Sequence, residues 1–193
     1  MSTCCLFFYR ILAIISGLCC APLASKGADA VKGFRSQSHG YAVEYPSRWY
    51  PHILSDVFYI ENFPPSKAVR AERLPDGGAA IEILVPSQVV PKGKTLPASL
   101  DEWARVAVGR RTVLGKVTRE LATGPQKLSV LEVDTRCCAV SPYQESVEWF
   151  FEIHGKMFAG IVVYWQGDSN AGRFREILQR IVLSLKVIPT APN

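Results

Sequence analysis

One stretch limits the fold more than any other. "MFAGIVVYW", residues 157–165, reads as a strand, and it is apolar on both of its faces. Successive side chains of a strand point to opposite sides. Met157, Ile161, Val163 and Trp165 therefore share one face, and Phe158, Val162 and Tyr164 share the other. A strand that is apolar on both sides needs a covering layer on each. "SVEWFFEI" precedes it across His154-Gly155-Lys156, so the two form a hairpin with those residues at its turn.

Two amphipathic helices are available as covers. In "SLDEWARVAVG", 99–109, the Ser99 hydroxyl is placed to accept from the Glu102 amide while the Glu102 carboxylate reaches back to Ser99. Leu100, Trp103, Ala104 and Ala107 form its apolar stripe, and Gly109 is placed to end it. The second helix starts at Asp168 or Ser169. Phe174, Ile177, Leu178, Ile181, Val182 and Leu185 recur at helical spacing along it. "YAVEY", "VFYIENF", "AAIEILV", "KVTRELA" and "KLSVLEVDTR" read as further strands, and Pro46 stops the first because it has no amide hydrogen for a ladder. The fold class expected is α+β: an antiparallel sheet of six or seven strands with one helix per face, an α/β/α sandwich. Two long proline-bearing loops interrupt it, at 64–78 and 86–98.

The strand "GYAVEYPSRWY", 40–50, followed by the "SLDEWA" helix, a late hairpin and a closing helix "FREILQRIVLSL", resembles the PsbP-like family over Gly40 to Val187. The matching residues are packing residues, so they specify fold more than activity. The resemblance implies a binding or assembly protein rather than an enzyme. The family includes extrinsic subunits of the photosynthetic water-oxidising complex, and it shares its fold with a nuclear-transport factor that binds a small GTPase. No metal or docking residue of the family carries over to a position here.

Residues 1–30 read as a signal peptide. Arg10 precedes an uncharged run of 14 residues, Ile11–Ala24, too short to span a bilayer comfortably. Cleavage after Ala24 or after Ala30 leaves one domain, 31–193, in an extracytoplasmic compartment, periplasmic or secreted. An uncleaved anchor and lipidation at Cys19 or Cys20 are the alternatives. Four of the six cysteines lie in the leader, so the mature chain keeps only Cys137 and Cys138, and a disulfide framework is ruled out. That adjacent pair reads as one buried and one exposed thiol, or as a vicinal disulfide. The formal net charge of +5 is mild, and the cations between Arg105 and Arg119 are not interleaved with aromatics. Nucleic acid is therefore not expected as a partner.

No catalytic motif, cofactor motif or paired metal-ligand spacing is present. The three histidines are His39, His52 and His154, of which His39 and His52 flank the first strand and leave a two-histidine metal site open. Trp49 reads as a plug over the sheet end, together with Tyr50, or as the aromatic wall of a cleft beside the 64–78 loop. A partner-binding edge is expected there, made of Trp49, Tyr50, Lys67, Arg70, Arg73, Lys92 and Lys94. Its chemistry suits an acidic protein surface or an anionic envelope surface. A small hydrolase or isomerase with a site between the two loops is the competing reading. Export is tested by mass spectrometry of the natively expressed chain, which is expected to begin near Ser25 or Val31. An intact Met1 terminus in the cytosolic fraction would exclude the leader.

Overall fold

The computed structural model describes residues 30–52, 57–65, 74–123, 126–137 and 143–190. The leader, most of the 64–78 loop and Cys138 lie outside them. Ten strands and three helices follow one another along these segments: β1 (Val31–Ser36), β2 (Tyr41–Pro46), β3 (Tyr50–Pro51), β4 (Phe58–Glu61), β5 (Ala79–Leu84), α1 (Pro86–Val89), α2 (Leu100–Val108), β6 (Thr112–Thr123), β7 (Gln126–Cys137), β8 (Gln144–Ile153), β9 (Lys156–Trp165), α3 (Ala171–Ser184) and β10 (Lys186–Val187).

The main sheet is antiparallel and has seven strands in the order β3-β4-β5-β9-β8-β7-β6. The doubly apolar strand, β9, is its central strand. Phe158, Val162 and Tyr164 join the core beneath α3, and Ala159 and Ile161 join the core beneath α2. The fold is thus α+β, with a helix on each face of the sheet. α3 buries Phe174, Ile177, Leu178, Ile181 and Val182, as its periodicity predicts. Gly160 lets it lie close: a Cβ there would stand 2.8 Å from Val182 Cγ2 and 3.2 Å from Leu178 Cδ1. α2 sets Trp103 edge-on against Phe150, with ring centroids 5.9 Å apart. Ser99 Oγ accepts from the Glu102 amide at 3.2 Å, but the Glu102 carboxylate reaches one residue further than expected and takes the Ala98 amide at 2.9 Å. Two facing strands meet at a two-residue turn, where His154 and Gly155 both have positive φ, 51° and 74°.

Three expectations need correction. β2 is not in the main sheet. It pairs with β1 and β10 in a separate three-stranded sheet, and the two-residue β3 takes the seventh place instead. Only one side of β2 is fully apolar: Tyr41, Val43 and Tyr45 are buried while Glu44 is exposed. Such a strand is suited to cover a sheet rather than to sit inside one. Tyr41 bridges the layers, donating its hydroxyl to the Ile83 carbonyl at 3.3 Å and accepting from the Phe58 amide at 3.2 Å. β1 precedes the strand expected to open the domain. The 86–98 segment begins as a short helix, with Pro86 in its first turn, where a proline lacks no needed donor.

Each covering helix is fastened to the sheet by an arginine on a buried glutamate. On the α3 face, Glu132 accepts from Trp149 Nε1 at 2.8 Å, Arg119 Nε at 2.8 Å and Arg175 Nη1 at 3.1 Å, while Arg175 Nη2 reaches Asp134 at 2.7 Å. Burial alone would raise the carboxyl's pKa. The indole N–H and the two guanidinium groups outweigh it and hold Glu132 below its ordinary value. On the α2 face, Glu148 accepts from Thr135 at 2.9 Å, Ser146 at 3.1 Å and Arg111 at 3.0 Å. Arg111 also donates to the Ala107 and Val108 carbonyls at the end of α2. One guanidinium and two hydroxyls do not offset full burial, so Glu148 is pushed above its ordinary value. Its neighbour Glu82 is raised too, by burial and, less, by Glu148.

Trp103→Ala is expected to cost about 3–5 kcal/mol and Ser99→Ala about 1 kcal/mol, read by chemical denaturation. An unchanged midpoint for Trp103→Ala would contradict the packing of α2. Glu132→Gln is expected to cost about 3 kcal/mol at neutral pH, because it leaves the buried Trp149 indole and the two arginines without their carboxylate. A depressed carboxyl stabilises fully above its unfolded value, about pH 4.3, and loses that contribution as pH falls through the folded value. The gap between wild type and Glu132→Gln should therefore close on acidification below about pH 4. A gap that stays constant between pH 7 and pH 3 would contradict it.

Candidate functional site

The chain leaves β2 at Pro46 and turns at once, with the Trp49 amide donating to the Pro46 carbonyl at 3.0 Å. That turn drives Trp49 inward. It is only 6% exposed and stands edge-on to Phe174 of α3, with centroids 6.3 Å apart. Trp49 is the plug expected, and it is also a wall. A recess of about 260 Å³ opens beside it, lined by Pro46, Arg48, Asn62, Gly77 and the first turns of α3 from Asn170 to Ile177.

Asn62 braces the far wall. Its side chain donates to the Gly77 carbonyl at 3.0 Å and accepts from the Ala79 amide at 2.8 Å. Gly77 has φ 67°, which a residue with a Cβ rarely adopts. On the near wall, α3 starts without a side-chain cap and with no acidic residue in its first turn. Arg173 stands there instead, and Arg48 lines the same recess. Those two cations are the charged residues of the lining, and no carboxylate is among them. Asp168 takes the Asn170 amide at 2.7 Å just before the helix, and the two cations of the lining favour an anion in the recess.

The other expected residues are placed as follows. Tyr50 points outward, 42% exposed, and does not join Trp49 over the sheet end. Tyr50 opens the two-residue β3, both of whose residues are exposed, while Trp49 turns inward in the bend just before it. Lys67, Arg70 and Arg73 lie outside the described residues. Lys92 and Lys94 are exposed and line no recess with Trp49. The two loops leave β5 from opposite ends, which a six-residue strand sets about 20 Å apart. Gly77 lines the Trp49 recess, whereas Leu96 and Pro97 line a different recess of about 250 Å³ with His39, Lys156 and Met157. There Lys156 donates to the His39 carbonyl, and burial lowers its pKa. Cys137 is half-buried at the end of β7, and its vicinal partner Cys138 lies outside the described residues.

The histidines do not meet. His39 sits before β2, and His52 follows β3, where its Nε2 lies 2.5 Å from the buried Glu61 carboxylate. Tyr59 donates to the other oxygen of Glu61 at 3.0 Å. Burial, then the nearby Glu61, pushes the Tyr59 hydroxyl well above its ordinary value. His154 is exposed at its turn. Among the described residues, no group of three His, Cys, Asp or Glu gathers as metal ligands, and no helix is long and apolar enough to cross a membrane.

Arg48 and Arg173 were the residues the sequence reading missed. Arg48 lies inside the quoted strand-exit motif, next to Trp49. Arg173 is a polar residue at the start of an otherwise clear amphipathic helix. Only the fold puts them on one recess.

No family model matches the chain, and no curated protein matches it. Solved structures do resemble it. One is a chain from Bacteroides thetaiotaomicron VPI-5482, at a TM-score of 0.47 and 12% identity over 81% of this chain; the match spans about half, 48%, of that chain. Another is the Ran-binding protein Mog1p of Saccharomyces cerevisiae, at 0.44 and 10% identity, covering 84% of this chain and 97% of that one. Cyanobacterial PsbP (CyanoP) from Synechocystis sp. PCC 6803 is also similar, at a TM-score of 0.42 and 16% identity, covering 86% of this chain and 99% of that chain.

Proposed function

We propose that this chain is an exported, non-enzymatic binding protein that receives an acidic segment of a protein partner in the Trp49 recess. The observation that carries the reading is the lining itself: a buried tryptophan wall, two arginines and no carboxylate. Arginine holds its proton throughout the physiological range. The recess therefore offers charge, planar hydrogen-bond donors and an aromatic surface, and no group suited to proton transfer. That supports binding over a hydrolase or isomerase. The hydrogen-bonded His52–Glu61 pair lines none of the recesses described.

Its shape favours a protruding acidic side chain over a flat bilayer. Guanidinium groups take carboxylates through two parallel hydrogen bonds, and tryptophan supplies contact area at low entropic cost. In sequence, Lys67, Arg70 and Arg73, set against Glu72 and Asp76, make the 64–78 segment that contains Gly77 net basic as well. An extracytoplasmic location, reached through the 1–30 leader, goes with this reading.

The test is titration of isotope-labelled protein with an oligoglutamate peptide at low salt, followed by NMR. Shifts are expected at the Trp49 indole and at the Asn62 and Gly77 amides. Arg48→Glu combined with Arg173→Glu should weaken binding at least about tenfold with the fold intact by circular dichroism. Equal binding by the double variant, or tighter binding to anionic vesicles than to the peptide, would overturn the reading.

A further inference from the structure

β6 is a 12-residue strand at the end of the main sheet, paired only with β7 among the described residues. The opposite end of that sheet is closed differently. β3 is two residues long and finishes at Pro51, so it offers almost no edge. β6 is twelve residues long, and only the bulge at Val113–Gly115 and its charged side chains, Lys116, Arg119 and Glu120, interrupt its edge. Directly opposite residues in antiparallel strands alternate between hydrogen-bonded and not. Every second residue of β6 thus turns its N–H and C=O away from β7. The edge is also apolar. Six large hydrophobic side chains are exposed among the described residues, and three of them, Val113 at 52%, Leu114 at 47% and Val117 at 44%, fall within five residues of β6.

The pattern of charges names the occupant. We infer that β6 pairs antiparallel with β6 of a second copy, about a twofold axis at Thr118. A twofold axis perpendicular to the sheet brings residues of like parity opposite each other, so the axis must pass through a residue. An axis at Lys116, Arg119 or Glu120 sets like charges face to face. An axis at Val117 leaves Lys116 opposite Thr118 and Leu114 opposite Glu120. With Thr118 on the axis, Lys116 of each copy faces Glu120 of the other, and Thr118 faces Thr118. Cross-strand pairs of opposite charge and of threonine are the stabilising kind. Arg119 then lies opposite Val117, and Leu114 opposite Ala122.

Existing partners do not block this register. Lys116 pairs with Asp101 at 2.5 Å and Glu120 with Lys127 at 3.2 Å, all four side chains being largely exposed. Exposed pairs of this kind contribute little and can be shared or exchanged. The result is one continuous antiparallel sheet through two copies, with both α2 helices on one face and both α3 helices on the other. The recess at Trp49 lies on the chain leading into β3, at the far end of the strand order, so both copies keep it open.

Sedimentation equilibrium across a range of concentrations is the first measurement, and a dimer is expected. Hydrogen exchange should show the β6 amides between Lys116 and Ala122 gaining protection as concentration rises. Lys116→Glu and Glu120→Lys should each weaken association about tenfold, because each turns two attractive pairs into repulsive ones. The double exchange, Lys116→Glu with Glu120→Lys, should return the wild-type association constant to within about threefold. A chain that remains monomeric, a dimer indifferent to the single changes, or a double exchange that fails to restore it would each overturn the pairing. So would a monomer whose β6 edge is protected only by an added foreign strand.

Discussion

Burial of β9 on both faces is the constraint that organises everything else. Seven strands cannot leave this strand half-wet, so α2 and α3 must both close on the sheet, one from each side. Apolar packing alone would let either helix slide, because the hydrophobic effect has no direction. Arg175 on Glu132 and Arg111 on Glu148 supply the direction. The two glutamates stand on neighbouring strands, β7 and β8, and point to opposite faces. The sheet is therefore gripped at nearly one place from both sides.

The two grips are chemically different. Glu132 meets an indole N–H and two arginines, and it stays ionised. Glu148 meets one arginine and two hydroxyls, with Glu82 close enough to add repulsion. Burial wins there. The α3 side is the one whose carboxylate is held below its ordinary value, and the small sheet of β1, β2 and β10 shares that side through Tyr41, Val43 and Tyr45. Phe174 in the first turn of α3 is the residue on which Trp49 rests.

Much of this was legible in the chain. The 3.6-residue period of Phe174 to Leu185 and the two-faced period of residues 157–165 each carry their own meaning, because the burial they require is large and local in sequence. The α+β class with a helix on each face followed from them. β1 was not legible: "VKGFRS" is exposed at four of its six positions and becomes a strand only by pairing with β2. β3 is too short for any period, and α1 hides behind Pro86, a residue that reads as a loop until its place in a first turn is known. The partition of β2 into its own sheet had one faint sign, the exposed Glu44 between buried aromatics. At the site, the tryptophan was legible as a large apolar residue after a strand stop. The two arginines beside it were not, since 125 residues separate Arg48 from Arg173, and nothing local to either one points to the other.

α3 illustrates how a local irregularity acquires meaning from its surroundings. It is the longest helix described, 14 residues, and its apolar face is regular throughout. Asp168, just before its first turn, accepts from the Asn170 amide at 2.7 Å. The turn itself breaks the usual rules: Asn170 provides no side-chain cap, no acid stands within it, and Arg173 adds a cation to it. Each of these costs stability relative to a capped, acidic start. Asn170 has the right chemistry for a cap but spends its side chain on Asp168, at 3.1 Å. Sequences that agree with their fold at every level tend to depart from it where they do something else. Here the departure coincides with a recess walled by tryptophan and flanked by a second arginine. On the proposed reading, a carboxylate in the recess would add a counter-charge at the positive end of α3, where Arg173 now adds a like one.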